Sequence, residues 1–332
     1  MRRSAISLLA GISLASLGVA GCSSSGGSSG TELSLVAYST PQAAYTKIIA
    51  AFQKTAAGKN VKFSESYGAS GDQSRAVDSG QKADVVAFSL APDITRLVKD
   101  GIVASSWDSG KYKGMITDSV VSLVVRKGNP KHINGWSDLT RKGIKVVTPN
   151  PFSSGSAQWN IMGAYGSQIK NGDTPAQANT FLSKVLANTV VQDESGRKAL
   201  QTFTNGTGDV LISYENEAIF AQQNNQPVDY IVPDKTLLIE NPVAVTKDSK
   251  HPKQARAFLK FLYSAEAQKL FADNGYRPID PSVDKGKFKR PSGLFTIQDF
   301  GGWPNVTKKF FDPSTGSVAT IEKKLGVSVA KK

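Results

Sequence analysis

At 332 residues, with 40 lysines and arginines against 27 aspartates and glutamates, the chain carries a formal charge of +13 and has only one cysteine and two histidines. A single thiol rules out an internal disulfide framework, and so small a stock of thiols and imidazoles lacks the ligands of the common zinc sites. The basic residues, Lys99, Lys111, Lys127, Lys142, Lys250 and Lys253 among them, are scattered without a stripe interleaved with aromatics, which disfavours a nucleic-acid face. His132 and His251 each sit beside Lys or Pro in polar sequence, and no Gly-rich Walker pattern occurs, so nucleotide hydrolysis and histidine catalysis lack their parts.

The chain opens with Arg2 and Arg3, an apolar stretch from Ala5 to Val19, and then Val19-Ala20-Gly21-Cys22. Small residues directly before the sole cysteine predict a lipoprotein signal peptide over 1–21, with Cys22 lipidated and first in the mature chain. An apolar run of this length is short for a membrane span, which needs roughly 20 residues. Ser23 to Gly30 is Ser and Gly throughout, the composition of a flexible tether, so 22–31 reads as lipidated cysteine plus tether. About 300 residues remain, ample for a core and suggestive of two domains.

The body begins with an apolar strand, Leu33 to Tyr38, followed by Ser39-Thr40-Pro41 and a helix over Gln42 to Thr55 with Ala44, Ile48, Ile49 and Phe52 at helical spacing. The strand Val61 to Ser66 gives way to Tyr67-Gly68-Ala69-Ser70-Gly71 and a helix from Asp72 to about Ser79. Further strands are expected at Ala83 to Leu90 and Val120 to Arg126. The strand Ile144 to Thr148 meets Pro149-Asn150-Pro151, then Ser153-Ser154-Gly155-Ser156, with helical character from Ala157. The strand Thr189 to Gln192 leads through Ser195-Gly196-Arg197 into a helix over Lys198 to Phe203, and strands follow at Asp209 to Ser213 and Val228 to Val232. Two helices, His251 to Ser264 and Ala265 to Asn274, precede an irregular tail.

Alternating strands and helices define an α/β protein. Segments near Val120 to Pro130 and Ile231 to Val245 read as two crossings between lobes, which leaves a cleft that a hinge can close. Four strand-to-helix junctions share small or hydroxyl residues, and in open α/β sheets such junctions gather where ligands bind. A helix start carries unpaired N–H donors and the positive end of the macrodipole, so these junctions are built for an anion. Asp72, Asp193, Glu194, Glu215 and Glu217 lie close by in sequence. Their orientation decides the ligand: a hydrogen phosphate can donate to a carboxylate, whereas a fully ionised dianion can only accept.

Several of these segments resemble the sulfate-binding proteins of ABC importers: Ser66-Tyr67-Gly68-Ala69-Ser70-Gly71, Val125-Arg126-Lys127-Gly128-Asn129-Pro130, Thr148-Pro149-Asn150-Pro151 with Ser153-Ser154-Gly155, Glu215-Asn216-Glu217-Ala218, Tyr276-Arg277-Pro278 and Gly301-Gly302-Trp303. The resemblance covers nearly the whole mature chain. It implies a two-lobed type II periplasmic binding protein fold, each lobe a mixed sheet flanked by helices, with lobe 1 over 32–121 plus 237–332 and lobe 2 over 122–236. It further implies a monomeric receptor, lipid-anchored outside the cell membrane, that performs no catalysis and needs no cofactor or metal. Such a receptor binds sulfate or thiosulfate through neutral donors and delivers it to a permease with a cytoplasmic ATPase.

Carried over by motif, the ligand-binding residues are Ser39, Ser70, Ser154, Gly155, Ser156, Gly196 and Tyr214, with Ser70 donating from both hydroxyl and backbone. The chain departs from the family pattern at four of them. Ser39 stands for an aspartate whose backbone donates, Ser156 for a glycine, Gly196 for another small residue, and Tyr214 for an indole donor. Arg197 is expected to stabilise its loop rather than touch the ligand, and Trp159 to pack. The rival readings are a receptor for molybdate, tungstate or phosphate, and an exported hydrolase using Ser70 or Ser154 as nucleophile.

Overall fold

Strand β1 (Glu32–Tyr38) shows why the first sheet forms: Leu33, Leu35 and Ala37 enter one core while Val36 enters another, the two-residue alternation of a strand covered on both faces. A computed structural model describes residues 30–330, so the expected signal peptide and Cys22 lie outside the described residues. Helix α1 (Gln42–Phe52) buries Tyr45, Ile48, Ile49 and Phe52 as one face. There follow β2 (Lys62–Gly68), α2 (Ser70–Asp78), β3 (Val85–Ala87), α3 (Ala91–Lys99) and the long β4 (Met115–Arg126). The middle of the chain runs β5 (Val146–Pro149), α4 (Gly155–Asn171), α5 (Pro175–Ala187), β6 (Thr189–Asp193), α6 (Gly196–Thr204), β7 (Val210–Tyr214), α7 (Glu215–Gln223) and β8 (Val228–Ile231). It returns through β9 (Leu238–Val245) to α8 (Pro252–Leu262), α9 (Ala265–Asp273) and β10 (Arg277–Pro278).

The strands run in the order β2-β1-β3-β9-β4-β7-β5-β6. At one end β1 pairs in parallel with β2 and β3; at the other β5 pairs in parallel with β6 and β7. Between them β4 and β9 pair antiparallel over Val120↔Leu238 to Met115↔Pro242, and each continues into a different half: β4 onto β7, β9 onto β3. These are the two crossings expected from sequence, with β4 reaching back to Met115 rather than starting near Val120. The α/β two-lobed architecture is thus a mixed sheet whose halves are joined, within the sheet, through this antiparallel pair.

The tail expected to be irregular contains a further helix, Ser317–Lys324, and packs against the second half: Trp303, Val306, Phe310 and Val318 share a core with Trp159 and Met162 of α4 and with Leu182 of α5. Sequence pattern alone misses this helix because it is short and its buried face is only Val318, Ala319 and Glu322. Glu322 is fully buried, and its two carboxyl oxygens each accept from Gln192 Nε2 at 3.0 Å, a neutral partner. Burial therefore raises its carboxyl above the usual range, against the pull of Gln192.

A group that binds its proton more tightly folded than unfolded contributes most at low pH, and the contribution is lost as pH rises through its raised folded value. Glu322→Gln cannot ionise. It is expected to raise the melting temperature by about 1–3 °C at pH 8, a gain that vanishes near pH 4, as checked by calorimetric melts at both values.

Candidate functional site

The three helices after β2, β5 and β6 each begin two residues earlier than the sequence reading placed them: α2 at Ser70 rather than Asp72, α4 at Gly155 rather than Ala157, and α6 at Gly196 rather than Lys198. The small residues read as turns are therefore the first helical turns. That shift matters chemically, because a first turn cannot satisfy its N–H groups within the helix. Among the described residues the N–H groups of Ser70, Gly155, Ser156, Gly196 and Arg197 meet no protein acceptor, while Gly71 donates across to Ser153 O at 3.2 Å. Ser70, Ser154, Gly155, Ser156 and Gly196 are all buried. Buried N–H groups without partners are rare and costly, so this cluster is a site for an acceptor.

The structure brings the sequence-predicted residues together. A Cβ added to Gly155 would stand 2.8 Å from Leu90 Cγ and 2.9 Å from Ser89 Oγ, so the start of α4 lies directly against the β3–α3 junction. One added to Gly196 would stand 2.9 Å from Ser156 Oγ and 3.2 Å from Thr40 Cγ2, which joins α6, α4 and the loop after β1. No contact fixes Ser39 itself; its neighbour Thr40 is the member of that loop seen at the site. Tyr214, 1% exposed at the end of β7, bonds Ser89 Oγ through its phenol at 2.7 Å. Burial pushes that phenol well up, against the donors Ser89, Ser156 and Asn241 around it.

Two residues missed from sequence organise the cluster. Asp93, buried in the first turn of α3, accepts the Ser70 hydroxyl at 2.6 Å, and Ser89 N–H donates to the same Ser70 oxygen at 2.9 Å. The Ser70 hydroxyl, expected to donate to the ligand, thus has a carboxylate as its partner, a stronger acceptor than a neutral group. What Ser70 retains without an acceptor is its backbone N–H. Burial raises the Asp93 carboxyl, opposed by Arg96 and Ser70. Ser89 could have been found from Ser89-Leu90-Ala91-Pro92, another strand end with a hydroxyl and a proline opening a helix.

Of the carboxylates whose direction was open, Glu217, Glu215 and Asp72 pair with arginines, while Asp193 keeps one buried oxygen, Oδ2, without a hydrogen-bond partner among the described residues. Glu217 receives Arg197 at 2.9 and 2.8 Å, and Arg197 also donates to Thr40 O at 2.7 Å, with its guanidinium 3.8 Å above the Phe220 ring. Arg197 is therefore a brace for the loops, as expected. Glu215 receives Arg277 at 2.8 and 3.2 Å, Asp72 pairs with Arg75, and Asp193 accepts from Thr202 at 3.0 Å. Trp159 packs edge-on to Trp303 and donates its indole N–H to Ser89 O at 2.8 Å. Neither His132 nor His251 hydrogen-bonds Ser70 or Ser154 among the described residues.

Two parallel-stranded halves hinged on an antiparallel pair, with buried helix starts meeting between them, define a solute-binding receptor. The sequence model of the bacterial extracellular solute-binding proteins matches residues 33–277, and the chain belongs to that family. A sulfate-binding protein of Synechococcus elongatus is 43% identical over 90% of this chain and 89% of its own. A thiosulfate-binding protein of Escherichia coli is 37% identical over 76% of this chain and 79% of its own. Among solved structures, the sulfate-binding protein SubI of Mycobacterium tuberculosis H37Rv superposes with a TM-score of 0.83 at 45% identity, covering 85% of this chain and 100% of that one.

The contact between Gly196 and Ser156 couples two of the departures from the family pattern. The hydroxyl of Ser156 occupies the space a side chain at 196 would need. Gly196→Ala is expected to weaken binding of sulfate, the anion named for the relatives, by about 1 kcal/mol or more, ~5-fold or more. Adding Ser156→Gly should recover most of that loss, as read by calorimetric titration of the single and double variants.

Proposed function

We propose that this chain is the extracytoplasmic sulfate receptor of an ABC importer, holding the dianion on Ser70, Gly155, Ser156 and Gly196 backbone N–H groups, with Ser39, Ser154 and Tyr214 completing the shell. The observation that carries the reading is the set of buried helix-start donors without protein acceptors, beside Glu215 and Glu217 carboxylates that arginines already engage. A site that offers N–H donors suits an anion that only accepts. Hydrogen phosphate would also bring a proton that needs an acceptor, and leaving it without one costs roughly 1–3 kcal/mol. The helix macrodipoles spread the compensating positive potential without placing a cation on the ligand.

The receptor performs no chemistry. Neither histidine reaches Ser70 or Ser154 among the described residues, and the Ser70 oxygen is held between the Asp93 carboxylate and the Ser89 N–H rather than presented to a ligand. The reading includes export, a lipid on Cys22 that holds the body at the outer face of the cell membrane, a monomeric state, and delivery to permease subunits with a cytoplasmic ATPase. It also includes the division of the body into one lobe over 32–121 plus 237–332, and a second over 122–236. Thiosulfate, named for one relative, is the second ligand to try, because it too is a fully ionised dianion at neutral pH.

The test is calorimetric titration of the body from Thr31, dialysed free of anions, with sulfate, thiosulfate, molybdate and phosphate in separate runs. One-to-one binding of sulfate, with phosphate at least about 100-fold weaker, is expected; 100-fold corresponds to ~2.7 kcal/mol. Preference for phosphate or molybdate would overturn the ligand and leave the receptor fold.

A further inference from the structure

Ser89 is not among the residues that the sequence marks for the site, yet every polar group it has is spent there. Its N–H donates to Ser70 Oγ at 2.9 Å. Its carbonyl accepts from Trp159 Nε1 at 2.8 Å and from Asn241 Nδ2 at 3.2 Å. Its hydroxyl stands 2.7 Å from the Tyr214 phenol. Ser89 and Tyr214 are 0% and 1% exposed, so water cannot substitute for either partner.

The protons can be counted. Ser89 and Tyr214 hold one hydroxyl proton each, and only one of the two can lie between their oxygens. Among the described residues the Tyr214 oxygen is the one acceptor within reach of the Ser89 hydroxyl. If Ser89 donates there, that bond is made and the phenol proton is released to another acceptor. A Cβ added to Gly155 would stand 2.9 Å from Ser89 Oγ, which sets the pair beside the unpartnered N–H groups of α4.

We infer that Ser89 is a positioning residue which, by donating its hydroxyl proton to Tyr214, turns the Tyr214 phenol into an O–H donor aimed at the bound anion. Tyr214 thereby acts as a donor at the position where the family pattern has an indole. Ser89 belongs to the β3–α3 junction and Tyr214 to β7, in the other half of the sheet. The same bond therefore links donor orientation to the approach of the two halves. The inference rests on the sulfate-receptor reading and assigns the role of Tyr214 within it.

The test compares sulfate dissociation constants for the wild type, Ser89→Ala, Tyr214→Phe and the double variant, with melting curves of each without sulfate as a control on folding. Ser89→Ala keeps the backbone bonds to Ser70, Trp159 and Asn241. Tyr214→Phe should weaken binding about 10- to 100-fold, the range of one lost bond to a charged group. Ser89→Ala alone should cost less, about 3- to 10-fold, because the phenol remains but is no longer held in orientation. The double variant should match Tyr214→Phe within twofold, since Ser89 acts only through Tyr214. Independent multiplication of the two losses would overturn the inference, as would a Ser89→Ala loss equal to or larger than that of Tyr214→Phe, which would make Ser89 the terminal donor. Failure of the wild type to bind sulfate would instead overturn the receptor reading, which separates the two conclusions.

Discussion

The structure depends on one constraint: the first turn of a buried helix has N–H groups that neither the helix nor water can satisfy. At α2, α4 and α6 these groups belong mostly to Ser and Gly, whose small side chains let a ligand approach the backbone. Each start follows a parallel strand, and the topology sets α2 in one half of the sheet and α4 and α6 in the other. An acceptor placed between the halves can satisfy donors from both at once. Binding and closure are then the same event, because neither half holds the complete shell alone.

What keeps the halves in register is a small number of polar bonds that cross between them. Arg197 ties Glu217 to the carbonyl of Thr40, and Arg277 ties β10 to Glu215 at the start of α7. The Glu217 and Glu215 carboxylates are nearly buried, and each would repel a dianion if left unpaired. Paired bidentately with arginine, they act as neutral struts. The arginines thus serve two purposes: they position loops, and they remove negative charge from the vicinity of an anion without becoming its ligands.

Much of this was legible in the sequence. Hydroxyl and glycine residues at strand ends marked the helix starts, and the strands near Val120 and Asn241 marked the crossings. The bounds were less legible, because the residues that make a helix start suit an anion, Gly and Ser, are also those that make a turn; only the structure distinguishes Ser70-Gly71 as first turn from loop. Asp93 was missed because its partner, Ser70, lies 23 positions away and nothing in the local pattern of α3 marks its carboxylate for burial. The pairing of the nearby carboxylates could not be read either, since it depends on contacts such as that of Glu215 with Arg277, 62 positions apart. The last helix, Ser317–Lys324, escaped notice for a third reason, a buried face too short to show a period.

The basic balance of the chain takes on a specific meaning once the site is seen. With Arg197 spent on Glu217 and Arg277 on Glu215, neither arginine is left to serve as a free cation for the ligand, so the excess of positive charge acts at a distance. Long-range attraction of that kind raises the encounter rate with any anion and falls with ionic strength, and it carries no selectivity. Selectivity has to arise where the anion loses its water, among N–H and O–H groups whose number and direction are fixed by helix starts and by the Ser89–Tyr214 pair. A lysine in that position would bind dianions and monoanions by charge. Neutral donors bind only what can accept from all of them at once, and the arrangement of this chain therefore separates attraction, supplied by the surface, from recognition, supplied by the backbone.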